Sequence, residues 1–244
     1  MKSIILCAGY ATRLYPLTLE KPKSLLPISN KPILNYIIEK VEKLNDIDEI
    51  FIVTNDKFFP VFLEWLDDYQ SFFNTKIKII NDETKTNDTR LGGIGDLEFA
   101  IKKEKINEDL LVILGDNLFD FDLISFSEFF KKINEISIGV YDLKNKEKVK
   151  QLGVLEIKNQ KLISFEEKPQ NPKSTIISTG IYLFPGKDLK KISDYMNTGK
   201  PEDGPGYLIL NLLKSQDIYA FEFKGRWFDI GMKEIYEEVK NMIF

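Results

Sequence analysis

Apolar residues along this chain fall into short unbroken runs that alternate with stretches of helical spacing. Ser3 to Cys7 reads as a buried strand running into a glycine loop at Gly9. Ile33, Leu34, Ile37, Ile38 and Val41 recur at helical intervals, with Pro32 near the first turn where a missing N–H is tolerated. Ile50 to Val53, Lys76 to Ile80 and Leu110 to Leu114 predict three more strands. Helices at Phe58 to Tyr69 and Gly95 to Lys103 lie between them. This β-α-β-α-β-α-β order predicts a parallel sheet covered on both faces.

Beyond Asp116 the texture changes. Ile136 to Tyr141, Leu152 to Ile157, Lys161 to Phe165 and Ile176 to Phe184 predict strands with brief links, an antiparallel extension of the same sheet. Helical patterns at Leu189 to Met196, Tyr207 to Lys214 and Lys233 to Ile243 close the chain. No repeat, low-complexity tract or Pro/Ser linker interrupts it. One domain of two lobes follows.

Composition removes whole classes of chemistry. The 244 residues contain no histidine, so Ser-His-Asp triads, Cys-His pairs, HExxH zinc sites and imidazole bases are excluded. Catalysis here must use carboxylates, lysine, arginine, backbone amides or a bound ion. With 34 Lys plus Arg against 38 Asp plus Glu, the net charge of −4 gives no global attraction for nucleic acid or anionic lipid. Arg13, Arg90 and Arg226 are the only arginines, so each is a candidate for a specific task or for an ordinary salt bridge. A lone Cys7 excludes an internal disulfide and suits a reducing compartment. The apolar stretch Ile4 to Ala8 is too short for a signal peptide, and nothing approaches a membrane span. A soluble cytoplasmic protein is expected.

Ligands of open α/β sheets sit beyond the carboxyl ends of the parallel strands, which directs attention to four segments and one loop. The first is Leu6 to Pro27, LCAGYATRLYPLTLEKPKSLLP. A loop directly after a first strand can aim N–H groups at phosphate. Gly9 allows close approach, Arg13 and Lys23 supply cations, and Thr12 adds a hydroxyl. Its glycine spacing is neither that of a dinucleotide fold nor that of a P-loop. The second is Leu110 to Asn117, LLVILGDN, where Asp116 at a strand end can hold Mg²⁺ or simply make a turn. The third is Arg226 to Gly231, RWFDIG, where Asp229 is either a metal carboxylate or the cap of the last helix. The fourth joins Phe165 to Pro169, FEEKP, with Ser178 to Tyr182, STGIY. These groups can bind sugar hydroxyls and phosphate or form a solvated turn. The loop Asp82 to Gly95 is polar and could cover a base edge or lie on the surface.

Together these segments resemble the sugar-nucleotide pyrophosphorylases, above all the glucose-1-phosphate thymidylyltransferases. The resemblance runs from Ile4 to about Tyr236 with the motifs in order. The opening loop is similar to the family signature LAGGxGTRLxPLT…PKxLLP, with departures that include Cys7 and Ala11. It implies an α/β fold, a Rossmann-like three-layer sandwich with a mostly parallel central mixed sheet and a smaller antiparallel sugar-binding extension. One nucleotidyltransferase domain over 1–244 is expected, about 1–120 as nucleotide-binding lobe and about 121–235 as sugar-binding lobe.

By the same resemblance Arg13 and Lys23 are catalytic, holding the triphosphate. Leu6, Ala8, Gly9, Thr12 and Gly93 bind the nucleotide, and Asp116 and Asp229 hold Mg²⁺. Gly153, Glu167, Lys168, Ser178 and Thr179 bind the sugar phosphate. The implied partners are a nucleoside triphosphate, dTTP or UTP favoured, and a sugar 1-phosphate, without nucleic acid or membrane; homo-oligomerisation stays open. The alternatives are a cytidylyltransferase for phosphocholine or a polyol phosphate, and a non-catalytic nucleotide sensor. The chain ends soon after Asp229, so regulation through further C-terminal parts is not expected.

Overall fold

The computed structural model describes residues 1–198 and 203–244. In its first half, β1 (Lys2–Leu6) is followed by two short pairing strands, β2 (Pro27–Ile28) and β3 (Lys31–Pro32), then α1 (Ile33–Val41), β4 (Glu49–Thr54), α2 (Phe59–Tyr69), β5 (Lys76–Asn81), α3 (Gly92–Glu104) and β6 (Leu110–Leu114). The second half holds β7 (Asn117–Phe119), α4 (Ile124–Ile133), β8 (Ser137–Asp142), β9 (Gly153–Lys158), β10 (Lys161–Glu167) and β11 (Ile176–Phe184). It closes with α5 (Lys190–Met196), α6 (Pro205–Leu212), β12 (Tyr219–Glu222), β13 (Trp227–Asp229) and α7 (Lys233–Val239).

Nine strands form one sheet in the order β5-β4-β1-β6-β11-β8-β12-β10-β9. The β5, β4, β1 and β6 strands run parallel in unbroken register, with Ile5 opposite both Ile52 and Ile113. Their sequences are continuously apolar because both faces are covered. Successive side chains divide between two cores: Ile5, Ile52 and Ile113 pack under α1, α2, α4 and α7, while Ile4, Leu6, Phe51 and Val112 pack under α3, α5 and α6. The second half is antiparallel, as expected, with one exception: β12 runs parallel to β8.

Several elements depart from the sequence pattern, among them three helices. The Ile124–Ile133 helix is absent from the strand-rich reading; Phe126 and Phe130, one turn apart, bury its inner face, and Asp122 Oδ1 accepts the Ile124 N–H at 2.9 Å. Helix α3 starts at Gly92, three residues before the expected Gly95. Helix α7 stops at Val239 instead of Ile243. Tertiary contacts claim that tail: Arg226 Nη2 donates to the Ile243 carbonyl at 3.0 Å, and the Phe244 ring sits edge-on to Tyr36 and Phe228.

Candidate functional site

The carboxyl ends of β1, β4, β5 and β6 open on one side of the sheet, and the loop after β1 lies over them. Two buried side chains fix that loop. Asn55, fully buried at the end of β4, donates to the Ala8 carbonyl at 2.8 Å and accepts the Phe58 N–H at 3.0 Å. Thr18, also fully buried, donates to the Ala11 carbonyl at 2.8 Å. Ala11 takes a left-handed conformation, φ 47°, although it carries a Cβ, at a cost of roughly 1–2 kcal/mol. The Thr18 bond and the following turn at Thr12–Leu14 hold it there. The space beside Gly9 is open: a Cβ there would meet nothing within 4 Å. Arg13 is exposed at the loop's tip, and its side chain forms no ion pair or hydrogen bond with any described residue.

Lys23 points inward. Its Nζ donates to Asp116 Oδ2 at 2.7 Å, joining the loop to the end of β6. Asp116 in turn accepts the Ile230 N–H on its backbone carbonyl at 3.0 Å, and Asn117 pairs with Asp229 across β7 and β13. Both carboxylates therefore stand at adjacent strand ends, and they line the same cavity. Burial and the neighbouring charge of Asp116 push the Asp229 carboxyl up to about 6, against the pull of Lys23, Arg13 and Lys168. Two carboxylates lining one cavity, with the ionisation of Asp229 resisted, fit a hard divalent cation, which takes oxygen ligands and would offset their charge.

The cavity beside them has a volume of about 190 Å³ and brings together Gly153, Glu167, Lys168, Ser178 and Thr179 with Asp116 and Asp229. A bulge in β11 shapes it. Ser178 pairs with Val140 but Tyr182 with Ile138, so residues of the segment 179–181 are pushed out of register. Gly180 turns the bulge at φ 72°, where a Cβ would lie 2.5 Å from Asn117 Nδ2. Burial raises the Glu167 carboxyl above its ordinary value, against the opposing charge of Lys168. Lys168 is itself left-handed, φ 48°, which turns it out of the line of β10, and its ammonium has no ion pair among the described residues.

Some expected contacts are committed elsewhere. The Thr179 hydroxyl is fully buried and donates to the Gly139 carbonyl at 2.8 Å, so its proton is committed to the sheet. The Ser178 hydroxyl lies 3.0 Å from the Tyr182 hydroxyl. Leu6 and Gly93 line a small apolar cavity with Val112, which shares Tyr182 and Pro205 with the polar one. Asn55 lies outside the candidate segments, and Thr18, Asn117 and Tyr182 lie inside them without an assigned role. The strand-end rule that marks Asp116 marks Asn55 equally, whereas Thr18 and Tyr182 act through side-chain contacts to Ala11 and Ser178 that follow from the local backbone path.

A second carboxyl pair lies at the far side of these strand ends. Asp82 and Asp96 are 3% and 5% exposed, and Asp82 Oδ2 and Asp96 Oδ1 have no hydrogen-bond partner. Burial and the charge of Asp82 push Asp96 up to about 9, so it keeps its proton at pH 7 while the unfolded chain loses it. Because the folded state then holds the extra proton, the pair costs stability increasingly as pH rises from about 4 towards 9. Asp96→Asn is expected to raise stability by on the order of 1–3 kcal/mol at pH 7, and by less at pH 5. Thermal melts across that range check this. A melting temperature lowered at pH 7 would show that the acid is supported by groups other than Asp82.

Comparison with known proteins accords with this geometry. The family described as nucleotidyl transferase matches residues 2–243. The bifunctional protein GlmU of Methanocaldococcus jannaschii is 34% identical over 233 residues, which make up 95% of this chain and 51% of that protein. A provisionally named mannose-1-phosphate guanyltransferase of Sulfolobus acidocaldarius is 28% identical, covering 98% of this chain and 62% of that one. The chain thus spans about half to three-fifths of the length of these relatives. Among solved structures, a provisionally named glucose-1-phosphate thymidylyltransferase of Bacillus anthracis superposes with a TM-score of 0.85 at 27% identity, covering 98% of this chain and 94% of that one. Matched over nearly its whole length, the chain belongs to the nucleotidyl transferase family.

Proposed function

We propose that this chain joins a sugar 1-phosphate to a nucleoside triphosphate, releasing pyrophosphate and an NDP-sugar, with dTTP or UTP as the favoured donor and Mg²⁺ as the metal. The observation that carries this reading is the Lys23–Asp116 ion pair at 2.7 Å, which ties the phosphate-type loop directly to the polar cavity. A triphosphate on the loop and a sugar phosphate in the cavity would meet at that junction.

A sugar phosphate oxygen forms a bond to the α-phosphorus, and the bond from that phosphorus to the bridging β-phosphate oxygen breaks as pyrophosphate leaves. The nucleophile is a phosphate monoester whose second pKa lies near ~6, so it arrives ionised and no protein base is required. A chain without histidine can therefore support the step. Arg13, unpaired among the described residues, meets the charge growing on the leaving pyrophosphate, and Lys23 stands beside the reacting phosphoryl group. Glu167 reads sugar hydroxyls from a half-buried position, and Lys168 holds the sugar phosphate. Asp116 and Asp229 would hold Mg²⁺, whose contribution is to neutralise the triphosphate and fix its orientation.

A panel of dTTP, UTP, CTP, GTP and ATP crossed with hexose 1-phosphates, phosphocholine and polyol phosphates, scored by Mg²⁺-dependent pyrophosphate release, tests this reading. Turnover confined to a sugar 1-phosphate is the expected result. Turnover only with phosphocholine or a polyol phosphate, or with no pair at all, overturns it.

A further inference from the structure

Arg90, one of the three arginines, is used neither by the loop nor by the cavity. It grips Asp203: Nε donates to Asp203 Oδ2 at 3.1 Å, Nη2 lies 3.1 Å from the same oxygen, and Nη1 donates to the Asn87 carbonyl at 2.8 Å. The other oxygen, Asp203 Oδ1, accepts the Gly93 N–H in the first turn of α3 at 3.0 Å, across 110 residues of chain. The fit is close. Gly92 is left-handed at φ 79°, and a Cβ on it would lie 2.0 Å from Asp203 Oδ1.

The residues that follow Asp203 reach the polar cavity. Pro205 packs on Gly93, 3.2 Å from where a Cβ would stand, and Gly206 lies against Glu167, whose Oε1 would be 1.9 Å from a Cβ at that position. Pro205 and Gly206 line the cavity. A single stretch, 203–206, is thus clamped to the start of α3 at one end and forms a wall of the sugar-phosphate pocket at the other.

On the nucleotidyltransferase reading, the nucleoside lies towards the clamped end. The polar cavity sits over β6, β11 and β9, and the phosphate-type loop leaves β1. A triphosphate reaching from the cavity along that loop carries its nucleoside towards the first turn of α3, where Gly93 shares a cavity with Leu6 of β1 and Val112 of β6. First-turn amides of a helix lack intrahelical partners and lie at the positive end of its dipole, so the Gly93 N–H is a strong donor on that side. Asp203 consumes it.

We propose that Asp203 is an intramolecular latch: held by Arg90, its carboxylate occupies the α3 donor that an arriving nucleoside triphosphate needs, and the nucleotide displaces it, releasing the Pro205–Gly206 wall of the sugar-phosphate pocket. This rests on the nucleotidyltransferase reading above. The latch is displaceable because the ion pair is exposed, with side-chain exposures of 44% and 50%. A site that must first be vacated binds with an affinity reduced by the fraction of molecules already open, and removing the latch removes that reduction.

Calorimetric titration of the full chain with each of the five triphosphates and Mg²⁺, without sugar phosphate, tests the latch. Arg90→Ala and Asp203→Ala are each expected to bind the preferred triphosphate ~5-fold more tightly, and the double variant no more tightly than either alone. Asp203→Asn, which keeps an acceptor for Gly93 but loses the charge pair, should fall between. In hydrogen exchange of the wild-type chain, triphosphate should slow exchange in 9–26 and speed it in 203–213. Unchanged or weaker affinity in the variants, with 9–26 still protected by nucleotide, overturns the latch and leaves the nucleotidyltransferase reading standing. Absence of protection in 9–26 with every triphosphate overturns both.

Discussion

Arg13→Ala and Lys23→Ala are each expected to lower kcat by ~10²-fold or more, the scale on which lost electrostatic stabilisers are felt. The two should differ in everything else. Arg13 is exposed and its side chain bonds to no described residue, so its removal should leave thermal stability unchanged. Lys23 is 18% exposed and neutralises Asp116, so Lys23→Ala strands a carboxylate already crowded by Asp229. That variant should melt at a lower temperature as well as turn over slowly. Lys23→Arg should restore the stability, because the ion pair survives, but only part of kcat, because a planar fork replaces a point charge. Steady-state kinetics and melting curves on the three variants decide the matter. Near-wild-type turnover in Arg13→Ala or Lys23→Ala would remove that residue from the chemistry.

The parallel half of the sheet was legible because its signals are local. Strand runs covered on both faces are continuously apolar, and β6 falls on the expected residues Leu110–Leu114. The later half was less so. Strand β12 has four residues and joins the sheet only through β8 and β10, and α4 was masked by the aromatic residues that also favour strands. At the site, residue type and position left Asp116, Asp229, Glu167 and Lys168 open between binding and structural roles, and only the family resemblance chose; the fold brings all four to one cavity. Spacing could not show that Thr179 turns its hydroxyl into the sheet, because that follows from a bulge in β11. Nor could it show Asn55 and Thr18, whose importance lies in the carbonyls they hold in the opening loop. Ala11 is the sharpest instance. An alanine where the family signature has glycine argues against left-handed backbone, yet a threonine seven residues later supplies the bond that keeps it there.

Asp229→Asn is expected to abolish most Mg²⁺-dependent turnover while making the metal-free protein more stable. The two effects share one cause. In the folded chain the Asp229 carboxyl is pushed from its ordinary 3.8 up to about 6 by burial and by Asp116, so its ionised form is disfavoured there relative to the unfolded state. The folded state holds an extra proton between about 4 and 6. Ionised Asp229 therefore costs stability above that window, and the cost disappears as pH falls through it. Asparagine cannot ionise, so in EDTA at pH 7.5 the variant should melt at a higher temperature than the wild type, with the gap closing near pH 4. A cation that ligates both carboxylates reverses the balance for the wild type alone, since binding to the folded state stabilises it by mass action. Added Mg²⁺ should thus raise the wild-type melting temperature and leave the variant's unmoved. A variant that melts lower in EDTA, or that responds to Mg²⁺ as the wild type does, would show that Asp229 braces β13 and does not hold metal; an active site that sacrifices stability for charge placement predicts the opposite on both counts.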